Sequence, residues 1–447
     1  VTRDDVLKVV DEKDIQFIRV EYLDFSGVTR ARTVRREALP DVLETGVNFS
    51  TAIMSFNSLD HYVPDPLYGP QDGDFWALPD PDTFAIVPYR EKTARMFCDL
   101  VDVDGRPWEG CPRSALKRLL NQAQKDLGGT LNAAYEPEGM LFKSEGGNLV
   151  PADSSKCFSI EGVEVQAGFI KRVVDSLESM GIPVVQVSSE YGPGQYEINL
   201  KYGPVLQATD AMVTFKHVFK TIGREEGYVA TLMPKPFNEL PGNGLHVHLS
   251  LFDSNGVNLF QDPGDRRGLE MSELAYCFTG GLLKHGEALT AIGAPTVNSY
   301  KRLLPGSWAP AHVCYGPANR SVLVRVPEKR RARRVEFRSG DGCCNPYLFS
   351  AALVAAGLDG VKNRIDPGEP VMEDVGHMEK RRLRELGVRW IPRTLGEAIE
   401  ALAKDEVIKN ALGAPLFNEF IKVRRSEWIT YAQYVDQWDR DAYLQTY

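Results

Sequence analysis

The sequence predicts an α+β protein: a small β-rich N-terminal domain, then a larger domain in which strands and helices alternate. Three observations carry this. Residues 17–34, FIRVEYLDFSGVTRARTV, hold two β-rich runs broken by DFSG, a turn signal, and read as a hairpin. Residues 111–128, CPRSALKRLLNQAQKDLG, place apolar side chains at helical spacing, with Ser114 near the start and a Gly pair at the end, and open the larger domain. From about residue 394 the apolar spacing is helical to the C-terminus. The domains are therefore expected over 1–110 and 111–447.

Between these landmarks, FAIVPY (84–89) and RMFCDLVDVDGRPW (95–108) suggest further N-terminal strands, with DG supplying a turn. In the larger domain AAYEPEGMLF reads as a strand, VQAGFIKRVVDSLESMG as a helix, VVQVSSEYGPGQYEINL as strand around a Gly-Pro-Gly turn, and ALVAAGLDGVKN as a helix. No internal repeat or low-complexity segment interrupts the chain.

Composition narrows the function. The 447 residues are enough for a large core, and no apolar run approaches the roughly 18 residues of a membrane span. The N-terminus VTRDDVLKVVDEKD carries acids throughout and lacks the apolar stretch of a secretory signal, so a cytoplasmic protein is expected. Seven scattered cysteines without CxxC spacing argue against a zinc site or a disulfide framework. A net charge of -9 speaks against a nucleic-acid partner, and the basic run EKRRARRVEFR (328–338) alone reads as a solvated face.

The chemistry-bearing residues fall at strand spacing. Glu136 and Glu138, His246 and His248, and Glu336 and Arg338 each lie two apart, so each pair shares one face of a strand. An exposed strand often shows one such pair; three are unusual. Glu190 and Glu197 flank the Gly-Pro-Gly turn and can converge from either side of it. Carboxylates with an imidazole suit Mg²⁺ or Mn²⁺. Arg302, Arg320, Arg325 and Arg338 lie within about forty residues, and their planar guanidinium groups suit phosphate and carboxylate ligands. No GxxxxGK[ST] loop and no GxGxxG before a helix is present. Metals with ATP would mean phosphoryl transfer.

The blocks YEPEGMLF, SEYGPGQYEINL, NGLHVHLSL, NSYKRLLPG with ANRSVLVRVP, RVEFR with NPYL, and LDGVKNRIDPGEP resemble, in order, the signatures of the glutamine synthetase superfamily, type I. The resemblance implies an N-terminal β-grasp domain, a catalytic domain whose curved antiparallel sheet forms a funnel, and a homo-oligomer of two hexameric rings, a dodecamer. It implies ATP as co-substrate and two or more Mg²⁺ or Mn²⁺ ions, the first held by Glu138, Glu190 and Glu197 and the second by Glu136, His246 and Glu336. Gly242, Arg302, Arg320 and Arg338 would bind L-glutamate; His248, Ser250 and Arg325 would serve ATP; Glu190 and Arg320 would act in catalysis. The implied reaction activates the γ-carboxylate as an acyl phosphate, from which an amine displaces phosphate.

Three departures fall in the amine subsite. Ammonia-using members carry an aspartate in a DGSS block and a glutamate in a PGYEAP flap; here the matching stretches are GVNFSTAI (46–53) and PGSWAP, with Trp308 at the glutamate's position. A tyrosine that lies near the ammonium in those members is replaced by Cys157. Exchanging carboxylates for an indole replaces a cation trap with apolar volume. The sequence thus looks most like the γ-glutamyl amine ligases of the superfamily, acting on an alkyl, poly- or aromatic amine. The alternatives are a true glutamine synthetase using ammonia, with Asp41 or Asp60 in the aspartate's role, a metal-dependent hydrolase that needs no nucleotide, and a non-catalytic relative.

Overall fold

The computed structural model describes residues 1–328 and 332–447; Lys329, Arg330 and Arg331, within the basic run, lie outside the described residues. The predicted hairpin forms, with Phe17–Leu23 antiparallel to Thr29–Arg35. Phe17–Leu23 also runs parallel to Thr93–Val101, a pairing across some seventy residues that no local pattern announces. The N-terminal sheet continues through Asp74–Pro79 to Val47–Ser50. Two expected strands are shorter than predicted. FAIVPY contributes only Ala85–Ile86, and the segment after the Asp104-Gly105 turn makes a single bridge, Val101 to Pro107. Pro88 and Pro107 lack the N–H that would extend each ladder.

Pro112–Leu127 is the helix that opens the larger domain, capped by Cys111, whose Sγ accepts from the Ser114 N–H at 3.4 Å. Its Arg113 fastens the two parts of the chain together. The buried guanidinium donates to Asp80 and Asp99 of the N-terminal part, both at 2.9 Å, and to both oxygens of Asp210 on the helix Val205–Glu225 at 3.1 and 3.0 Å. Three carboxylates around one cation make this a satisfied buried network rather than an orphaned charge.

The larger sheet has the order Tyr315–Pro317, Val324–Val326, Val335–Phe337, Leu245–Phe252, Thr130–Glu145, Gln195–Leu200, Val184–Ser189, with three short strands also paired to Thr130–Glu145. It is nearly closed and barrel-like. Every pairing is antiparallel except that of Tyr315–Pro317 with Val324–Val326. Along Thr130–Glu145, Leu131, Ala133 and Tyr135 are buried in the core, and the Tyr135 hydroxyl reaches Thr209 Oγ1 at 3.0 Å as well as Ser350. Asn132, Ala134, Glu136 and Glu138 are only partly covered and take the opposite face. Strand alternation therefore separates a helix-packed apolar face from a polar face turned into the funnel. The C-terminal stretch is helical, as its periodicity predicts: Leu395–Ala403, Glu406–Leu412, Ala414–Ala432 and Gln437–Tyr443. Among the described residues no helix is long and apolar enough to cross a membrane.

Candidate active site

Register assembles the site. Glu136 lies opposite His246, Glu138 opposite Glu197, His248 opposite Glu336, and Glu336 opposite Arg325. Residues paired across strands share a face, so five strands bring these side chains onto one polar surface. The three pairs at spacing two therefore face the same space.

Glu336 is wholly buried. It accepts from Arg325 Nη1 at 2.8 Å and from Arg338 Nη1. Burial opposes its ionisation, but the adjoining Arg338 cation holds its carboxyl well below the usual range. Glu136 sits between the histidines, its Oε1 2.9 Å from His248 Nε2 without hydrogen-bond alignment, its Oε2 3.6 Å from His246 Nδ1. Its carboxyl too is held below the usual range against burial, with His248 the first cause. His248 Nδ1 accepts from Arg334 Nε at 3.0 Å, which puts the proton of a neutral ring on Nε2, facing Glu136.

His246 differs. Its buried Nδ1 has no hydrogen-bond partner and stands 3.6 Å from both Glu136 Oε2 and Glu336 Oε1. Burial, reinforced by Arg338, depresses its pKa and keeps it a neutral lone-pair donor. One donor atom each from Glu136, Glu197 and His246 lie within 4.8 Å of one another, as do those from Glu136, His248 and Glu336. An unpartnered imidazole nitrogen among carboxylate oxygens fits Mg²⁺ or Mn²⁺.

Two neighbouring carboxylates of the same cavity favour the protonated form. Burial, then the neighbouring Glu138, pushes Glu190 up to about 7. Burial and the charges of Glu136, Glu138 and Glu190 push Glu197 up to about 9. A divalent cation must displace those protons, so its binding is expected to release protons at pH 7 and to tighten as pH rises from 6 towards 9. Calorimetric titration of Mn²⁺ in buffers of different ionisation enthalpy measures this; heats independent of buffer contradict it.

Glu138 Oε2 accepts from the Gly244 N–H at 2.7 Å and from Gln195 Nε2 at 3.2 Å. Gly244, which sequence reasoning passed over, allows the crowding here. A Cβ on it would lie 3.2 Å from His246 Nε2, 3.3 Å from Glu138 Oε1 and 3.4 Å from Arg302 Nη1. Gln195, also missed, ties Glu138 to Gly242 O at 2.9 Å and Asn243 Oδ1 at 3.1 Å. The Gly-Pro-Gly turn before Gln195 and the Asn-Gly before the histidines were the available signals.

The arginines divide. Arg302 packs against Gly242, where a Cβ would meet its Cγ at 2.5 Å, and its Nη2 donates to Ser339 O at 3.1 Å and Gly340 O at 2.6 Å. Arg338 also donates to Trp308 O at 3.4 Å. Arg320 is exposed and lines the mouth. His248, Ser250 and Arg325, together with Glu136, Glu190 and Glu197, line one cavity of about 660 Å³, within the range that holds small-molecule ligands.

Trp308 stands at the rim, 65% exposed, with φ +62°, a left-handed conformation that a bulky side chain rarely takes. Its ring lies 6.4 Å from that of Tyr191, next to Glu190. Cys157 is exposed and close enough to Glu190 for that carboxylate, after burial, to raise its thiol pKa. Asp60 pairs with Arg30 at 2.5 Å, and Asp41 lies in the first turn of the helix Leu39–Thr45; neither lines the cavity.

Comparison with known proteins agrees along the whole chain. Residues 4–108 match the family model for the glutamine synthetase N-terminal domain, and residues 109–443 the model for the glutamine synthetase catalytic domain. A glutamine synthetase of Thermotoga maritima is 38% identical, covering 99% of this chain and 100% of that protein. A glutamate–methylamine ligase of Methyloversatilis universalis is also 38% identical, covering 97% of each. A solved structure described as a GmaS/ADP complex superposes with a TM-score of 0.88 at 33% identity, covering 98% of this chain and 99% of that one. With both domain models matched and relatives of this identity spanning its length, the chain belongs to the glutamine synthetase family.

Proposed function

We propose that the protein is an ATP-dependent carbon–nitrogen ligase that joins the γ-carboxylate of L-glutamate to an amine larger than ammonia. The observation that carries the amine half is Trp308, which puts an indole beside Tyr191 and Glu190 where the ammonia-using pattern has a carboxylate. That one relative is named a glutamate–methylamine ligase supports the reading; that another is named a glutamine synthetase keeps ammonia as the alternative.

In this mechanism ATP occupies the 660 Å³ cavity, its phosphates toward His248, Ser250 and Arg325. Glu136, Glu138, Glu190, Glu197, His246 and Glu336 hold Mg²⁺ or Mn²⁺, which when bound neutralises phosphoryl charge. Arg302, Arg338 and the backbone at Gly242 take the carboxylates of glutamate, bidentate contacts that fix its orientation. A γ-carboxylate oxygen attacks the γ-phosphorus and ADP leaves, with Arg320 meeting the developing charge. The amine nitrogen then attacks the acyl carbon, phosphate leaves with its bonding pair, and the amine's surplus proton passes to Glu190, the carboxylate next to Tyr191 and the indole. The family's assembly, a dodecamer of two hexameric rings, belongs to the same proposal.

Trp308→Glu tests the assignment. It restores a cation-binding carboxylate at an exposed position and is expected to raise kcat/KM for ammonia by about tenfold or more, at the expense of the best larger amine. No gain with ammonia and no loss with that amine would mean that position 308 does not set specificity.

A further inference from the structure

Behind the flap lies a second cavity of about 490 Å³. It shares Arg320 with the first cavity, and Trp308 forms part of its wall. Since the indole in its wall also stands beside Tyr191, next to Glu190, this cavity adjoins the position that the proposed mechanism gives the amine. Ala309, Ala311, Pro317, Ala318 and Met372 give it apolar walls.

The cavity is built rather than incidental. Asn319 Nδ2 donates to Val371 O at 3.0 Å and Glu373 O at 2.9 Å, and Ser321 Oγ accepts from Val375 N at 3.1 Å, binding the 371–375 loop to the turn that carries Arg320. The same loop touches the flap backbone to backbone: a Cβ on Gly376 would lie 2.8 Å from Gly306 N. Among the described residues the only carboxylate on the wall, Asp374, is already met by His377 Nδ1 at 2.8 Å and by the Gly376 N–H at 2.9 Å.

We propose that this cavity receives the substituent of the amine, and that the substituent is apolar, an alkyl chain or a ring on a monoamine. The inference rests on the reading that the amine is larger than ammonia. A diamine or polyamine is disfavoured because its second ammonium would pass the Arg320 cation and find a carboxylate already satisfied.

The test compares methylamine, butylamine, hexylamine and 1,6-diaminohexane by ATP- and glutamate-dependent phosphate release. In the unaltered enzyme kcat/KM is expected to rise by about threefold per buried methylene, and hexylamine to exceed 1,6-diaminohexane. Met372 is exposed, so substitution there leaves the fold intact. Met372→Asp should lower the hexylamine-to-methylamine ratio of kcat/KM by about tenfold, and Met372→Leu should preserve it. A ratio unchanged in Met372→Asp, with a larger amine still preferred over ammonia, overturns the cavity assignment alone. Preference of the unaltered enzyme for ammonia overturns the reading beneath it as well.

Discussion

Glu136→Gln is expected to lower turnover with the best amine by at least about a thousandfold, ~4 kcal/mol of transition-state stabilisation, and to abolish stabilisation by Mn²⁺. Glu136 belongs to both sets of side chains whose donor atoms close to within 4.8 Å, so one amide deprives both of an anionic ligand. The fold should persist without metal, because glutamine keeps the shape and Glu197 loses one of the charges that raise its pKa. Retained Mn²⁺-dependent melting shifts, or activity within tenfold of the unaltered enzyme, would remove Glu136 from the metal site.

Glu336→Ala is expected to cost about 3–5 kcal/mol of folding stability, because it leaves buried Arg338 without its carboxylate and Arg325 with only the exposed Glu328, at 3.0 Å. The side chains of Arg325 and Arg338 are 9% and 3% exposed, too enclosed for water to replace the carboxylate. The loss should show as a lower urea midpoint at unchanged slope. Removing one stranded cation in Glu336→Ala/Arg338→Met should recover part of it. The pH dependence follows from the sign of the shift. A carboxyl held below its ordinary value contributes stability above the unfolded value of 4.5 and loses it as pH falls through the folded one. The difference between variant and parent should therefore be flat above about pH 5 and close only in acid. A loss under about 1 kcal/mol at pH 7 would mean that the guanidinium groups find other partners.

What the sequence made legible was alternation. Residues two apart on a strand share a face, and that alone foretold that Glu136 and Glu138, His246 and His248, and Glu336 and Arg338 each lie on one face of their strand. Register, which decides who meets whom, is set by strand pairing over hundreds of residues and is not written locally. Nothing near Arg325 announced that one of its nitrogens is engaged by Glu336, or near His248 that Arg334 fixes its tautomer. Nor was it written locally that Glu136 joins both close groups of donor atoms or that Glu138 holds the Gly244 amide. Gly244 was illegible for a different reason: its function is the absence of a side chain where three functional groups converge. The hairpin at 17–34 was readable because its turn is local, whereas its parallel neighbour Thr93–Val101 was not. Pro88 and Pro107 were visible signals of shortened strands that apolar patterning overrode.

The central claim, that an indole-lined site accepts an amine larger than ammonia onto an activated glutamate, meets its most direct test in coupled phosphate release with ATP, L-glutamate and Mg²⁺. The acceptors run from ammonia through alkylamines and polyamines to anilines. The account predicts phosphate release that requires both ATP and glutamate, with kcat/KM for at least one organic amine exceeding that for ammonia by about tenfold or more. Ammonia turned over as fast as every amine in the panel would contradict it.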